Sequence, residues 1–404
     1  MQDKKSKLKQ IFGKYYDVYY QEIPLDNYLS KQIKGYMLFL KIWTDEIEEF
    51  ILKYKIEGIA LNLTEKFSFS MIKDMYWLKY LSFNSQYITD IKYLKELKDL
   101  EYLMIYGAKY NNFDFSIFKR LKKCDISIKK GNMSLYNCLT LESLDINYKE
   151  EDCMPLSNLV NLKYLILNAS NLKSLNGLDR LEYLEYIEIH NAKIEDVGIN
   201  WEKLSRLKNL SFINCKNLIT IKGIEKSSNI KSLKLQNCVN LKSIENIKDL
   251  KFLVIIDLID MSKDLKGFNA ILKLTKLEEF NTGFSSNFTS LEIFQNCKNL
   301  KKLMLWGCKN VDIMNNLSYI GTIEKLILDR FGTIESLKPI VQLDKLKSFQ
   351  FTFTTIKDKD IKCLQDCKSL ERTVFDNNSQ YNISETELNK LLKQNQKKSM
   401  GKTS

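Results

Sequence analysis

His190 is the only histidine among 404 residues, so any imidazole chemistry has to be built around that one ring. Nucleophilic or general acid–base catalysis would need a Ser or Cys within hydrogen-bond reach of it, and no spacing in the chain supplies one. Cys363 and Cys367 stand four apart, as two metal thiolates can. A zinc site needs further nitrogen or sulfur ligands, and no histidine lies near to complete it. Gly401-Lys-Thr403 matches the end of a phosphate-binding loop, but Gln396 stands where the loop's first glycine belongs. No strand precedes that segment and no helix follows it. Carboxylates are plentiful in a chain with 50 Asp+Glu, and no pair is singled out by its spacing. The residue types therefore assign no catalytic group, no cofactor and no metal, and they point away from an enzyme.

What remains is recognition, and it depends on how the chain places its aromatic residues. In Leu78-Lys-Tyr-Leu81-Ser-Phe83 the apolar residues fall at steps 1, 4 and 6. That pattern suits a short strand, with steps 4 and 6 inward and steps 3, 5 and 7 outward. The run Ile88, Ile91, Leu94, Leu97 that follows, spaced by three, suits a return segment of helix or 3₁₀ turns. The unit opens again at Leu100, and openings recur at Ile56, Leu78, Leu100, Leu121, Leu141, Leu162, Leu184, Leu207, Ile230, Leu250, Leu277, Leu300, Ile323, Leu346 and Leu370. These make about fifteen units, mostly of roughly 20 to 24 residues, each too small to bury its apolar face without neighbours.

Step 2 of every unit is charged, and the sign alternates at all junctions except Lys208/Lys231 and Lys231/Lys251. Stacked parallel strands would set Glu57, Lys79, Glu101, Lys122, Glu142 and Lys163 beside one another as opposite neighbours. The motif LxxLxL, followed by a polar or Cys position and then the three-spaced apolar run, resembles the leucine-rich repeat family. The variant is similar to internalins and to the phosphatase-regulator type, most plainly at Thr333-Ile-Glu-Ser-Leu-Lys-Pro339 through Leu343 and Leu346. The resemblance covers roughly residues 56 to 376. It implies an α/β solenoid, with a curved parallel sheet on the concave side and helices or 3₁₀ turns on the convex side.

In that frame the outward steps line the concave face. Tyr80, Tyr102, Tyr106, Tyr164 and Tyr186 stand there, with Met104, Ile166, Glu188 and His190, around a polar patch of Lys123, Asp125, Ser143, Asp145 and Asn147. Phe252, Val254 and Ile256 form a second group, and Met304 with Trp306 a third. Tyr and Trp bring large contact area with a polar handle and dominate interface hot spots. The expected partner-binding residues are the five tyrosines with His190, Phe252 and Trp306. Aromatic pairing within the sheet, or cover by the terminal caps, is the competing use of the same rings.

Residues 1–55 carry no repeat and are expected to cap the first unit. Tyr15, Tyr16, Tyr19 and Tyr20 fit one face of a helix, Met37 to Trp43 reads as a strand, and Thr44-Asp45 opens a helix to about Tyr54, with Asp45 and Glu48 in capping-box-like spacing. The solenoid is expected over 56–383. The step from Leu250 to Leu277, about 27 residues, reads as a unit with a loop insertion or a longer convex helix. Ser384-Glu-Thr-Glu387 opens a closing helix in 384–404, and the chain from Lys397 reads as a solvated tail.

The formal charge is +12, from 62 Lys+Arg against 50 Asp+Glu, but the arginines that read bases are few: Arg120, Arg180, Arg206, Arg330 and Arg372. Nucleic acid is not an expected partner. No apolar run is long enough to span a membrane. Lys4, Lys5, Lys7 and Lys9 precede a segment too polar for a signal peptide. Cys215, Cys238 and Cys308 recur at step 9 as buried free thiols, which suits a reducing, cytoplasmic setting and a bacterial solenoid without the export and anchoring of internalins. The expected function is a monomeric, non-enzymatic scaffold for a protein partner. An immunity or effector protein that binds a toxin or host protein, or the regulatory subunit of a phosphatase-like enzyme, are the alternatives.

Overall fold

The computed structural model describes residues 18–24, 34–84, 87–106, 113–126 and 133–400. Tyr15, Tyr16 and Gly401-Lys-Thr403 lie outside them. The chain forms two compact units, Met1–Leu172 with Arg180–Leu184, and Lys173–Asp179 with Glu185–Ser404. In the first, strands Gly58–Leu61, Tyr80–Asn84, Tyr102–Tyr106, Lys123–Ile126, Ser143–Asn147 and Tyr164–Asn168 pair in parallel, in chain order. In the second, the parallel series is Tyr186–His190, Asn209–Ile213, Ser232–Gln236, Ile255–Ile259, Glu279–Gly283, Lys302–Trp306, Lys325–Asp329, Ser348–Phe351 and Arg372–Phe375. Steps 1, 4 and 6 make the core, as Leu100, Leu103 and Ile105 do at full burial. The return segments are 3₁₀ turns, such as Ile91–Glu96 and Phe268–Lys273. Apolar residues three apart share one side of a 3₁₀ turn, whereas an α-helix would rotate them away.

The charged ladder forms as six pairs, each of these lysines closing on the glutamate one strand back; it is interrupted where Lys231 follows Lys208 and where the uncharged Val254 holds step 2. In the first unit Lys79 meets Glu57 at 2.8 Å, Lys122 meets Glu101 at 2.9 Å and Lys163 meets Glu142 at 2.6 Å. In the second, Lys208–Glu185, Lys301–Glu278 and Lys347–Glu324 lie at 2.6, 2.8 and 2.7 Å. Beneath the side chains, the amides of steps 2 and 3 both donate to the step-2 carbonyl one unit earlier, as Lys79 and Tyr80 do to Glu57.

Those backbone bonds correct one register. Val254 and Ile255 donate to the Lys231 carbonyl, and Glu278 and Glu279 to that of Val254. The unit therefore opens at Leu253, not Leu250, and the expected insertion disappears, because both neighbouring intervals return to the ordinary period. Leu250 and Leu253 are three apart and both fully buried, so the apolar pattern alone fits either start. Leu250 instead ends the 3₁₀ turn Glu245–Asp249. Ile256 points into the core, and the outward residues of this strand are Ile255, Asp257 and Ile259.

After each strand of the second unit except the last, the chain turns through a residue of positive φ at step 8: Asn191, Asn214, Asn237, Asp260, Phe284, Gly307, Arg330 and Phe353. The turn drops step 9 back into the core, where a short side chain can reach the step-6 carbonyl of the unit before. Cys215 Sγ donates to the Ile189 carbonyl at 3.6 Å, Cys238 Sγ to that of Phe212 at 3.5 Å and Thr354 Oγ1 to that of Leu328 at 3.3 Å. Burial pushes the Cys215 and Cys308 thiols up to about 11 and Cys238 up to about 12, so they stay protonated donors. Ser285 holds the same step, but its buried Oγ finds no partner. Ser285→Cys should raise stability by about 1 kcal/mol in urea titration; a loss would contradict this account of the ladder.

The first unit begins with a hairpin. Val18–Pro24 pairs antiparallel with Lys34–Leu40, which in turn pairs parallel with Gly58–Leu61. Tyr19 and Tyr20 thus lie on a strand rather than on the expected helix face, since a seven-residue ladder takes their backbone into the sheet. Helix α1, Asp45–Tyr54, is capped one residue earlier than its carboxylates suggest: the Thr44 hydroxyl accepts from the Ile47 amide at 3.3 Å, and Glu48 accepts from Trp43 Nε1. At the other end α2, Glu385–Met400, carries the expected capping box, Glu387 N to Ser384 Oγ at 3.3 Å and Ser384 N to Glu387 Oε2 at 3.1 Å. Leu388 and Leu392 bury its inner face. The helix runs through the start of the expected tail, as far as Met400.

Candidate functional site

The outward face of the first unit is built in rows by the parallel register. Tyr80, Tyr102, Lys123, Ser143 and Tyr164 stand side by side, and the next row holds Ala60, Ser82, Met104, Asp125, Asp145 and Ile166. The rows bring the tyrosines together as expected, but not all of them face solvent. Tyr102 and Tyr164 are each only 5% exposed, so neither is free to anchor a partner. Met37, from the capping hairpin, and Ala60 close over Tyr102, with Phe39, Tyr80 and Met104 packed around them. The cap therefore takes over part of this face, as the competing use of the rings allowed. Lys123 Nζ adds a cation–π contact 5.3 Å from the Tyr102 ring.

Tyr80 and Tyr106 remain half-exposed. The Tyr106 hydroxyl donates to Asp125 Oδ1 at 2.5 Å. Burial, then that carboxylate, pushes the Tyr106 phenol well above its ordinary value. Burial likewise raises Asp125, against the pull of the tyrosine bond. This is a rigid donor–acceptor pair, and an unreactive one at neutral pH.

On the strand side of the first unit, a groove of about 670 Å³ runs along the ladder, lined by Glu101, Lys122, Glu142 and Lys163 with Arg120 and Tyr183. Three of its four cations are already matched by carboxylates, Lys122 and Lys163 by the ladder glutamates and Arg120 by Asp99 at 3.1 Å, while Lys119 donates to the Ser116 carbonyl at 2.8 Å. Such a groove has little left with which to hold an anion.

In the second unit Tyr186, Glu188 and His190 project from one strand. The Tyr186 hydroxyl donates to Glu188 Oε2 and His190 Nε2 bonds Glu188 Oε1, both at 2.7 Å. Burial works to raise the Glu188 carboxyl, but the His190 and Tyr186 bonds outweigh it and hold it below its usual range. Glu188, which spacing did not single out, is thus the centre that places the two expected residues. Ser211 is its register neighbour, and makes no hydrogen bond with His190. A nucleophile–imidazole relay is not assembled here. Further along the same row come Lys234, Asp257, Asn281 and Met304.

Trp306 is half-buried at the end of its strand, its ring 5.1 Å from that of Phe284. Phe252 is exposed but lies in the turn before strand Ile255–Ile259, with Lys276 Nζ 4.5 Å above its ring, and so does not line the sheet face. The register error explains the misplacement. Spacing also overlooked Phe284, Arg330 and Phe353, whose signal was a bulky residue at the step where other units carry Asn, Asp or Gly. Cys363 and Cys367 are free, and burial pushes both thiols up to about 12, against thiolate chemistry. No group of three or more metal-ligating side chains occurs among the described residues.

Parallel strands of one register, 3₁₀ returns and a core of leucines at steps 1, 4 and 6 define a leucine-rich repeat protein. The chain is similar in structure to an internalin, InlF, of Listeria monocytogenes, at 21% identity and a TM-score of 0.56, over 87% of this chain and 92% of that one. A leucine-rich repeat protein of Leptospira interrogans matches at 17% identity and a TM-score of 0.48, over 84% and 93% of the two chains. At such identities the likeness is one of fold. No family model and no curated protein sequence matches this chain.

Proposed function

We propose that this chain is a non-enzymatic scaffold that binds a protein partner on the outward faces of its parallel strands. Half-exposed side chains at outward steps carry the reading, on two adjacent strands of the first unit and on two strands of the second that have four others between them. They are Tyr80, Met104 and Tyr106 in the first unit, and Tyr186, His190 and Trp306 in the second. Each is held by packing or a hydrogen bond, so little side-chain entropy is lost on docking, the condition under which aromatic anchors contribute most. The best-placed acid–base residues support the same reading, because Glu188, His190 and Tyr186 are bonded to one another rather than presented to a substrate.

The test is capture of protein from lysate of the producing cell on beads bearing the full chain, with the bound protein identified by mass spectrometry. Tyr80→Ala/Tyr106→Ala or Tyr186→Ala/Trp306→Ala should weaken capture about tenfold or more. Lys95→Ala, on a 3₁₀ turn, should leave it unchanged. Equal capture by all the variants would overturn the proposal.

A further inference from the structure

Positive φ at step 8 recurs through eight successive turns of the second unit, and Asn, Asp and Gly adopt it with least strain. Asn191, Asn214, Asn237, Asp260 and Gly307 do so. Phe284, Arg330 and Phe353 adopt the same backbone at φ of 54°, 50° and 49°, with large side chains that the conformation disfavours. They are also exposed: Phe353 keeps 64% of its surface and Phe284 41%. A local preference is broken three times within four neighbouring turns, and apolar surface is left in water.

The side chains are arranged in two pairs along the edge where strands Glu279–Gly283, Lys302–Trp306, Lys325–Asp329 and Ser348–Phe351 end. The ring of Phe284 lies across Gly307, where a Cβ would come within 2.5 Å of it, and packs against Trp306. The Arg330 guanidinium lies over Phe353, 4.7 Å from the ring centroid. Its acidic contact is a long one, Nε to Asp329 Oδ2 at 3.9 Å, and that carboxylate already accepts from the Thr352 hydroxyl at 2.6 Å. The outer N–H groups of a stacked guanidinium form a fixed fork that matches one carboxylate.

We propose that this edge docks an acidic segment of a protein partner, with Arg330 gripping one carboxylate and the Phe284–Trp306 shelf receiving the apolar side chain next to it. The idea deepens the scaffold reading and rests on it. A protein segment fits better than a nucleic acid, because Asp329 and Asp376 line the same edge and would repel a chain of phosphates, whereas a single carboxylate seated on Arg330 is tolerated.

The test pans phage-displayed random dodecapeptides against the full chain, then measures a selected peptide by calorimetry. Selected sequences should share an Asp or Glu beside a large apolar residue. Amidating that carboxylate, Arg330→Gln and Phe353→Asn should each weaken binding about tenfold or more. Phe353→Asn should leave the Tm unchanged or raise it by up to about 3 °C, since Asn suits positive φ. Strain that serves binding predicts this opposition; a merely structural Phe353 would lower the Tm. Selection without a shared carboxylate, affinity indifferent to Arg330→Gln, or an oligodeoxythymidine that binds with the same dependence on Arg330 would each overturn the proposal. Capture of the cellular partner separates the two readings. Trp306 belongs to both surfaces, so Tyr80→Ala/Tyr106→Ala makes the comparison: if it loses the partner and Arg330→Gln does not, the edge site fails alone; if neither loses it, both fail.

Discussion

Trp201→Ala should remove about 3–5 kcal/mol of stability. Trp201 is fully buried at the start of the 3₁₀ turn Trp201–Lys203, capped by Asn200, whose Oδ1 accepts from the Glu202 amide at 3.2 Å. The indole fills the space between one return segment and the next. Gly223, at φ +110°, passes close enough that a Cβ there would sit 3.4 Å from Trp201 Cδ1. The indole Nε1 also donates to the Val197 carbonyl at 2.7 Å. Truncation to Ala leaves a cavity between turns and a buried carbonyl without its donor, and both terms act in the same direction. Trp201→Phe keeps much of the volume and loses the bond, so it should cost clearly less. Urea titration followed by circular dichroism measures both. A Trp201→Ala loss below about 1.5 kcal/mol would mean that the neighbouring turns collapse into the space. Because each repeat is supported mainly by its neighbours, the transition should also broaden.

Asn389→Ala should cost about 2–4 kcal/mol and turn a closed sheet edge into an open one. The last strand, Arg372–Phe375, has its inner neighbour in Ser348–Phe351 and, among the described residues, no strand beyond it. In a parallel ladder alternate residues point their backbone groups to alternate sides, so Thr373 and Phe375 share the outer side. Helix α2 covers them. The Thr373 amide donates to Asn389 Oδ1 at 2.8 Å, Asn389 Nδ2 donates to the Thr373 carbonyl at 2.9 Å, and the Phe375 amide reaches Glu385 Oε2 at 3.3 Å. Residues 385 and 389 are one helical turn apart, about 6 Å, against about 6.6 Å for two strand residues, so a helix side can serve as a strand's partner. Thr373 is fully buried, and losing Asn389 strands an N–H and a C=O together. Asn389→Asp keeps the acceptor and loses the donor, so it should also destabilise. Denaturation gives the cost, and size-exclusion chromatography should show self-association of Asn389→Ala through the bared strand. A variant that is both as stable as the parent and monodisperse would show that α2 is dispensable as a cap.

These two residues differ in how far the sequence announced them. The Ser384–Glu387 box foretold a closing helix, but not that Asn389 would stand in for a strand's peptide group. That role depends on where the last strand ends relative to the helix face. Trp201 lay in the three-spaced part of its unit, where any apolar residue reads as core.

The leucine spacing and the alternating charge at step 2 are local patterns repeated along the chain, and they were enough to determine the stacked parallel strands, most of the ion-paired ladder and the buried thiols, while the choice of 3₁₀ turns over helices for the returns came from the structure. Identical units can satisfy their apolar faces only by repeating one register. Three things were left to the tertiary structure. Leu250 and Leu253 are equivalent to a pattern of threes, and only the backbone bonds to Lys231 chose between them, taking Phe252 off the sheet face. Tyr102 and Tyr164 occupy outward steps just as Tyr80 does, yet burial of an outward side chain depends on what else packs over it, as Met37 does over Tyr102. The edge formed by Phe284, Trp306, Arg330 and Phe353 joins residues from four units, and becomes a surface only when successive turns lie one strand spacing apart.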